Sequence, residues 1–247
     1  IKQSCDIYFY EVARRLGVDR LAITSKKFGL GNKVFDILNE EKTGLVPNTK
    51  WKLKNIGKGW VLGETLLAGI GQGYFQATPM QLCLMTAQLA NGGYKIKPRI
   101  IEDRYALEPI VLAWKKELAS RNKEKEDLDT TTSLQITNED QTVHIESGLV
   151  KLYRNLENVK FVLDAQFGAT NEPMGTAYGS RHTKSEYIFA GKTGTSQIRT
   201  ITEEERELKL KQKDLPYERR DHALFTAFMP YKQPRYALSI VIEHGGT

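Results

Sequence analysis

Residues 188–198 read Ile188-Phe189-Ala190-Gly191-Lys192-Thr193-Gly194-Thr195-Ser196-Gln197-Ile198. An apolar run enters a short polar cluster and leaves through Ile198, which predicts a β-strand over Tyr187–Ile198. Lys192 supplies a fixed positive charge, Thr193 and Thr195 supply hydroxyls, and Gly194 lets another backbone come close. A strand so equipped makes a good wall for an anionic substrate, and the Thr195 N–H can serve an oxyanion hole. The bland alternative is a surface strand with a snorkelling lysine.

Working outward, Ala223–Pro230 and Arg235–Glu243 read as two further strands, the last rich in Leu, Ile and Val. Between the first two, Thr202–Lys213 reads as a solvated helix, with a Thr202/Glu205 capping box and lysines near its end. Upstream the period is helical. Ile7–Leu16 is one helix, stopped by Gly17. A second is expected to be capped by Asp19, to run through Phe28 and to end at Gly29. Residues 30–60 read as loop-rich. Thr78-Pro79 starts a strong helix that runs to Ala90 and stops at Asn91-Gly92-Gly93. His144–Leu156 is a further amphipathic candidate. Residues 102–143 are charged and rich in Ser and Thr, as in an insertion or a mobile surface excursion. Helices first and an antiparallel strand cluster last make the expected class α+β.

The 247 residues amount to one large domain or two small ones, and 40% hydrophobic with 27% charged residues exclude collagen-like, mucin-like or wholly disordered chains. The net charge of +6 is spread among interleaved acids and bases, without a basic block that carries aromatics, so no nucleic-acid partner is expected. Cys5 and Cys83 are too few for a disulfide-stapled scaffold. His144, His182, His222 and His244 have no partners at metal-ligand spacing, so neither a metal nor any other cofactor is expected. His222 reads as a hydrogen-bonded structural residue, Cys5 as facing the packed side of its helix, and Trp51 and Trp60 as packing residues. Ala237–Ile242, the most apolar stretch near the end, is far short of the ~20 residues of a membrane span. The opening Ile1-Lys2-Gln3-Ser4 suggests a processed product or an excised fragment.

Two more motifs bear on function. Ser4-Cys5-Asp6 opens the first helix, where Ser4 reads most simply as an ordinary N-cap. The functional alternative is a hydroxyl and a carboxylate held at a helix end, facing the strand. The second motif is Gly69-Ile70-Gly71-Gln72-Gly73-Tyr74-Phe75-Gln76-Ala77-Thr78-Pro79-Met80-Gln81-Leu82. Its Gly-x-Gly lacks the strand–turn–helix unit and the Walker lysine of a nucleotide loop, so it reads as the lead into a capped helix.

Together these three signals resemble the transpeptidase domain of class B penicillin-binding proteins, nearest to their elongation-specific, penicillin-binding protein 2 type. Ser4-Cys5-Asp6-Ile7-Tyr8-Phe9-Tyr10 is similar to the second motif of that subgroup, which carries Asp rather than Asn. Lys192-Thr193-Gly194 is similar to the third motif of the wider superfamily. Asp221–Phe228 and Val241–Gly246 are similar to its last strands. The resemblance covers the chain from Ser4 to its end, weakly over 102–143.

The resemblance implies a penicillin-binding-protein/serine β-lactamase-like fold, an antiparallel sheet flanked by helices, here incomplete at both ends. It also implies that residues 1–247 are the C-terminal part of one transpeptidase domain. The implied reaction cross-links peptidoglycan stem peptides at D-Ala-D-Ala through a serine acyl-enzyme, in cell-wall elongation and cell shape. Lys192 and Thr193 would hold the substrate carboxylate or set the local field. Thr195 would add a hydroxyl and half of the oxyanion hole, Ser4 would relay a proton, and Asp6 would orient a lysine or the substrate amide. β-Lactams would acylate the same serine. The implied partner is a cell-elongation glycosyltransferase. The implied address is the periplasmic face of the bacterial inner membrane, reached by an anchor outside this chain.

The nucleophile motif, Ser-x-x-Lys, belongs upstream of Ser4. The sole match in the sequence, Ser120-Arg121-Asn122-Lys123, lies downstream in the charged stretch and reads as chance. The chain alone is therefore expected to be inactive. A D,D-carboxypeptidase, a serine β-lactamase and a non-catalytic β-lactam sensor remain open on the same scaffold.

Overall fold

The structure, a computed structural model, describes residues 1–35, 38, 40–100, 150–198 and 214–246. The chain divides into two units, residues 1–96 with 143–247, and residues 97–142. The expected insertion, Ser120–Lys123, the expected helix Thr202–Lys213 and residues 144–149 of the His144–Leu156 candidate lie outside the described residues.

Among the described residues of the first unit, five helices precede the charged stretch. Helix α1 is Asp6–Leu16 and α2 is Val18–Lys27, joined at Gly17 with φ +78°. Asp19 does not cap α2, whose N-cap is Gly17. Its carboxylate instead accepts from the Thr49 N–H (3.0 Å) and hydroxyl, at the start of α3, Thr49–Ile56. Asn48 caps α3 through the Trp51 N–H (2.7 Å), and Gly57 ends it in the left-handed region. Helix α4 is Leu62–Gly69. The expected loop over 30–60 therefore holds α3, whose Asn48 cap and Gly57 stop were legible signals. Trp51 and Trp60 both pack on Tyr74, and Lys52 is buried in an ion pair with Glu64.

Helix α5, Pro79–Ala90, begins as the sequence predicts: the Thr78 hydroxyl accepts from the Gln81 N–H, and the Gln81 side chain accepts from the Thr78 N–H. Its Leu82 and Met85 pack on the buried cluster Ala22, Leu30 and Val46, together with Phe75. The segment before α5 is pinned by an antiparallel bridge between Leu45 and Gln76.

Helix α6, Leu156–Asn171, begins where the His144–Leu156 candidate was expected to end. Of that candidate, residues 150–155 are not helical, and Lys151 bridges Tyr94. The correction has a physical cause. The buried residues of α6 are Val159, Gln166, Gly168, Ala169 and Thr170, mostly small or polar, so the helix carries little hydrophobic periodicity.

Among the described residues three strands close the unit: β1 Ala190–Ser196, shorter than the expected Tyr187–Ile198 because Ser185–Tyr187 is a 3₁₀ turn, β2 His222–Met229 and β3 Tyr236–Ile242, antiparallel in the order β1-β2-β3. Lys192 lies opposite Thr226 and Thr195 opposite Ala223. Helix α6 packs on β1, and α5 on β2 and β3. Gly191 is the crowded glycine of β1: a Cβ there would sit 2.6 Å from the Thr226 carbonyl oxygen and 2.8 Å from Phe225. At Gly194 it would meet Leu224 at ordinary contact distance.

Candidate functional site

The first turn of α1 is brought to β1 by an unusual start. Ser4 has φ +48°, a left-handed conformation uncommon for a residue with a side chain. The N-cap position is taken by Cys5, with no side-chain cap. Ser4 is therefore not the expected helix cap. Its hydroxyl accepts a hydrogen bond of 2.6 Å from Lys192 Nζ, joining residues 188 positions apart. Cys5 is exposed, not turned to the packed side.

Lys192 is held at three points. Besides Ser4, its ammonium donates to the Thr193 carbonyl (2.6 Å) and lies 3.4 Å from the Thr193 hydroxyl. Burial pushes its pKa below the ordinary lysine value, and the negative charge of Asp6 opposes that shift. The ammonium is thus made easier to deprotonate, while Asp6, the first residue of α1, restrains it. Thr193 donates its hydroxyl to Thr176 (3.1 Å), whose N–H in turn donates to the Lys2 carbonyl.

The segment 69–82 also reaches the strand. Gln72 Nε2 donates to the Thr195 carbonyl at 3.2 Å. The approach is fixed from below by Gln81, fully buried, which donates to the carbonyls of Asn32 (2.6 Å) and Thr43 (2.8 Å). Ser4, Asp6, Lys192, Thr193 and Thr195 thus form one patch. Gly194 is exposed on the same strand.

Sequence reasoning gave Gln72, Thr176, Thr170 and Asn171 no part in this patch. Helix α6 clamps the entry to β1: Thr170 Oγ1 and Asn171 Nδ2 both donate to the Phe189 carbonyl, at 2.9 and 2.8 Å. Tyr231 donates to Asp164 of α6 at 2.6 Å, and burial together with that bond pushes its pKa up to about 12. The same residue's N–H donates to the Ile188 carbonyl. His222 is a structural residue, its Nδ1 accepting from the His244 N–H at 2.9 Å. Among the described residues no group of three His, Cys, Asp or Glu is placed to hold a metal, and no helix is long and apolar enough to cross a membrane.

An antiparallel sheet backed by helices, with Lys-Thr-Gly on an outer strand and a helix-start serine bonded to that lysine, defines a class: the penicillin-binding-protein transpeptidase fold. The model of the family described as penicillin binding protein transpeptidase domain matches residues 1–247, and the chain belongs to that family. It is 33% identical over 247 residues to the peptidoglycan D,D-transpeptidase MrdA of Salmonella typhimurium, covering 100% of this chain and 34% of that protein. It is 31% identical over 246 residues to the protein of the same name from Escherichia coli K12, again covering 100% of this chain and 34% of the relative. The chain thus spans about a third of the length of these curated relatives.

Two solved structures resemble it closely. One is the penicillin-binding protein PBP2 of Helicobacter pylori in complex with MreC, at TM-score 0.71 and 28% identity, covering 99% of this chain and 36% of that one. The other is Pseudomonas aeruginosa PBP2 in complex with WCK 5153, at TM-score 0.70 and 32% identity, covering 100% and 44%.

Proposed function

We propose that this chain is the C-terminal part of the transpeptidase domain of a longer, penicillin-sensitive peptidoglycan D,D-transpeptidase that serves cell-wall elongation and cell shape. The observation that carries the proposal is the Lys192 Nζ–Ser4 Oγ hydrogen bond of 2.6 Å, which unites the helix motif and the strand motif in one patch. Family membership and the naming of the relatives as D,D-transpeptidases support it.

In the proposed reaction a serine hydroxyl, its proton passing to the lysine of the same Ser-x-x-Lys motif, attacks the carbonyl carbon between the two terminal D-Ala residues of a stem peptide. The oxygen of the tetrahedral intermediate takes up negative charge beside the Thr195 N–H. As the C–N bond breaks, Ser4 relays that proton from the motif lysine to the departing D-Ala amine. Lys192 and Thr193 meanwhile hold the substrate carboxylate. The Asp6 carboxylate favours the charged form of Lys192 against the effect of burial. The amine of a second stem peptide then attacks the acyl-enzyme and restores the serine. β-Lactams enter the same path and stop at the acyl-enzyme.

The nucleophile is proposed to come from a Ser-x-x-Lys motif ahead of Ile1, so the 247 residues by themselves catalyse no acyl transfer. Residues 102–143 are proposed as an insertion. The Tyr94–Lys151 bridge supports this, since it brings the flanks of that stretch side by side. The longer protein is proposed to sit on the periplasmic face of the bacterial inner membrane through an anchor outside this chain. Its proposed partner is a cell-elongation glycosyltransferase that polymerises the glycan strands.

The test uses the full-length protein with its glycosyltransferase partner and lipid II. Cross-linked dimers of stem peptide, blocked by penicillin, are expected. Release of D-Ala without cross-links would indicate a carboxypeptidase, and rapid turnover of penicillin a β-lactamase. Acylation with neither reaction would indicate a sensor.

A further inference from the structure

The outer edge of β1 is fitted with side-chain donors at alternate residues. The Phe189 carbonyl receives Thr170 and Asn171, the Thr193 carbonyl receives Lys192 Nζ, and the Thr195 carbonyl receives Gln72. Residues 189, 193 and 195 share one parity, and alternate residues of a strand send both backbone groups to the same side. All three acceptors therefore lie on the edge away from β2. So does the N–H of Thr195, the candidate oxyanion donor.

An unpaired strand edge is a template for an extended peptide. Two of the three closures are firm. Thr170 and Asn171 stand on α6 and bond at 2.9 and 2.8 Å, and Lys192 bonds within its own strand at 2.6 Å. The third is different in kind. Gln72 lies in the glycine-flanked turn Gly71-Gln72-Gly73, its amide is a peptide-like donor, and its bond is the longest of these at 3.2 Å. It also holds the one acceptor that belongs to the same residue as the candidate oxyanion donor.

We propose that Gln72 is a displaceable clasp on the β1 edge. Its side-chain amide takes the Thr195 carbonyl in the resting protein, and an acyl-donor peptide must replace it there with its own backbone N–H. Gln72 is thus a specificity-determining residue: it weighs against ligands that need the Thr195 carbonyl for an N–H of their own, and leaves untouched those that do not. The inference rests on the acyl-transfer reading of the site.

The test measures second-order acylation rate constants of the full-length protein with two β-lactams. Benzylpenicillin carries an acylamino N–H beside its ring, and a carbapenem carries a hydroxyethyl group there instead. Gln72→Ala is compared with wild type, and Gln72→Leu, which keeps the bulk without the donor, guards against an effect of space alone. Both variants are expected to speed benzylpenicillin by about threefold to tenfold, the worth of one net hydrogen bond, and to change the carbapenem by less than twofold. Equal changes for the two ligands, no change, or a fall for both would overturn the clasp, since Gln72 would then only support β1 or share the carbonyl with the ligand. Wild type unlabelled by either compound would overturn the acyl-transfer reading, and the clasp with it. Labelled wild type without a selective gain would overturn the clasp alone.

Discussion

Gln81 is the residue through which the segment before α5 is seated, and its replacement by Leu isolates that role. The two side chains are similar in volume, so the change removes polar contacts and leaves little cavity. Three hydrogen bonds disappear: those to the Asn32 and Thr43 carbonyls and the one accepted from the Thr78 N–H. Each is worth roughly 1 kcal/mol net, so the expected loss is about 3 kcal/mol. The Asn32 and Thr43 carbonyls would then face a buried leucine in place of the fully buried Gln81, so this figure is a lower bound. For a domain of this size, 1 kcal/mol moves Tm by about 2–4 °C, which gives a fall of about 6–12 °C. Gln81→Glu keeps the acceptor for Thr78 but turns a carboxylate toward two carbonyl oxygens, and is expected to fall at least as far. Thermal melts of the full-length protein, followed by tryptophan fluorescence, read both variants. A Gln81→Leu melt within 2 °C of wild type would refute the reasoning, as would a Gln81→Glu melt above that of Gln81→Leu.

Other expectations follow from the same contacts. Asp6 raises the pKa of Lys192 against burial, so Asp6→Asn should lower it further and move the lysine-dependent limb of the penicillin-acylation pH profile to lower pH; superimposable profiles would remove the charge argument. Burial raises the pKa of Glu64, but its bonds to Lys52 and the Val61 N–H outweigh this and hold it below the ordinary 4.5. The pair's stabilisation is therefore present above that value and lost as pH falls through the lowered one. The Tm gap between wild type and Glu64→Gln should narrow from pH 7 to pH 4, and a gap that stays constant or widens would contradict this.

The strands and the strongly capped helices were legible because each carries its own local signal. Thr78-Pro79 with Gln81 sets the start of α5 by capping chemistry alone, and the hydrophobic runs of β2 and β3 lie within one residue of their expected limits. Helix α6 was not legible, since its buried residues include Gly168, Ala169 and Thr170 with the polar Gln166. Small residues let a helix approach a strand closely, and they leave no apolar stripe to count. Helix α4 has Val61 at its N-cap, with no side-chain cap, and a glycine in its first turn, so its start carried only the Glu64 half of a capping box.

At the site, residue identity was legible and geometry was not. The motifs marked Ser4, Asp6 and Lys192, but the turn of Ser4 out of the cap position depends on its φ of +48°, which no propensity foretells. Asp19 shows the same limit. A carboxylate just after a helix start reads as a cap for that helix, and here tertiary packing gives it to α3. Gln72 and Thr176 enter the patch by contacts across 123 and 17 positions of sequence, beyond any local pattern.

The central claim is that the Ser4–Lys192 patch is one wall of an acyl-transfer cleft. Its most direct test is covalent labelling of the full-length protein by a fluorescent penicillin, in wild type and in Lys192→Ala, with a melt to show that the variant is folded. The account predicts one adduct on wild type and a loss of labelling rate of at least about 100-fold in the variant, the usual scale for removing a group that stabilises charge or moves a proton at the reacting centre. A folded Lys192→Ala protein that labels at the wild-type rate would contradict it.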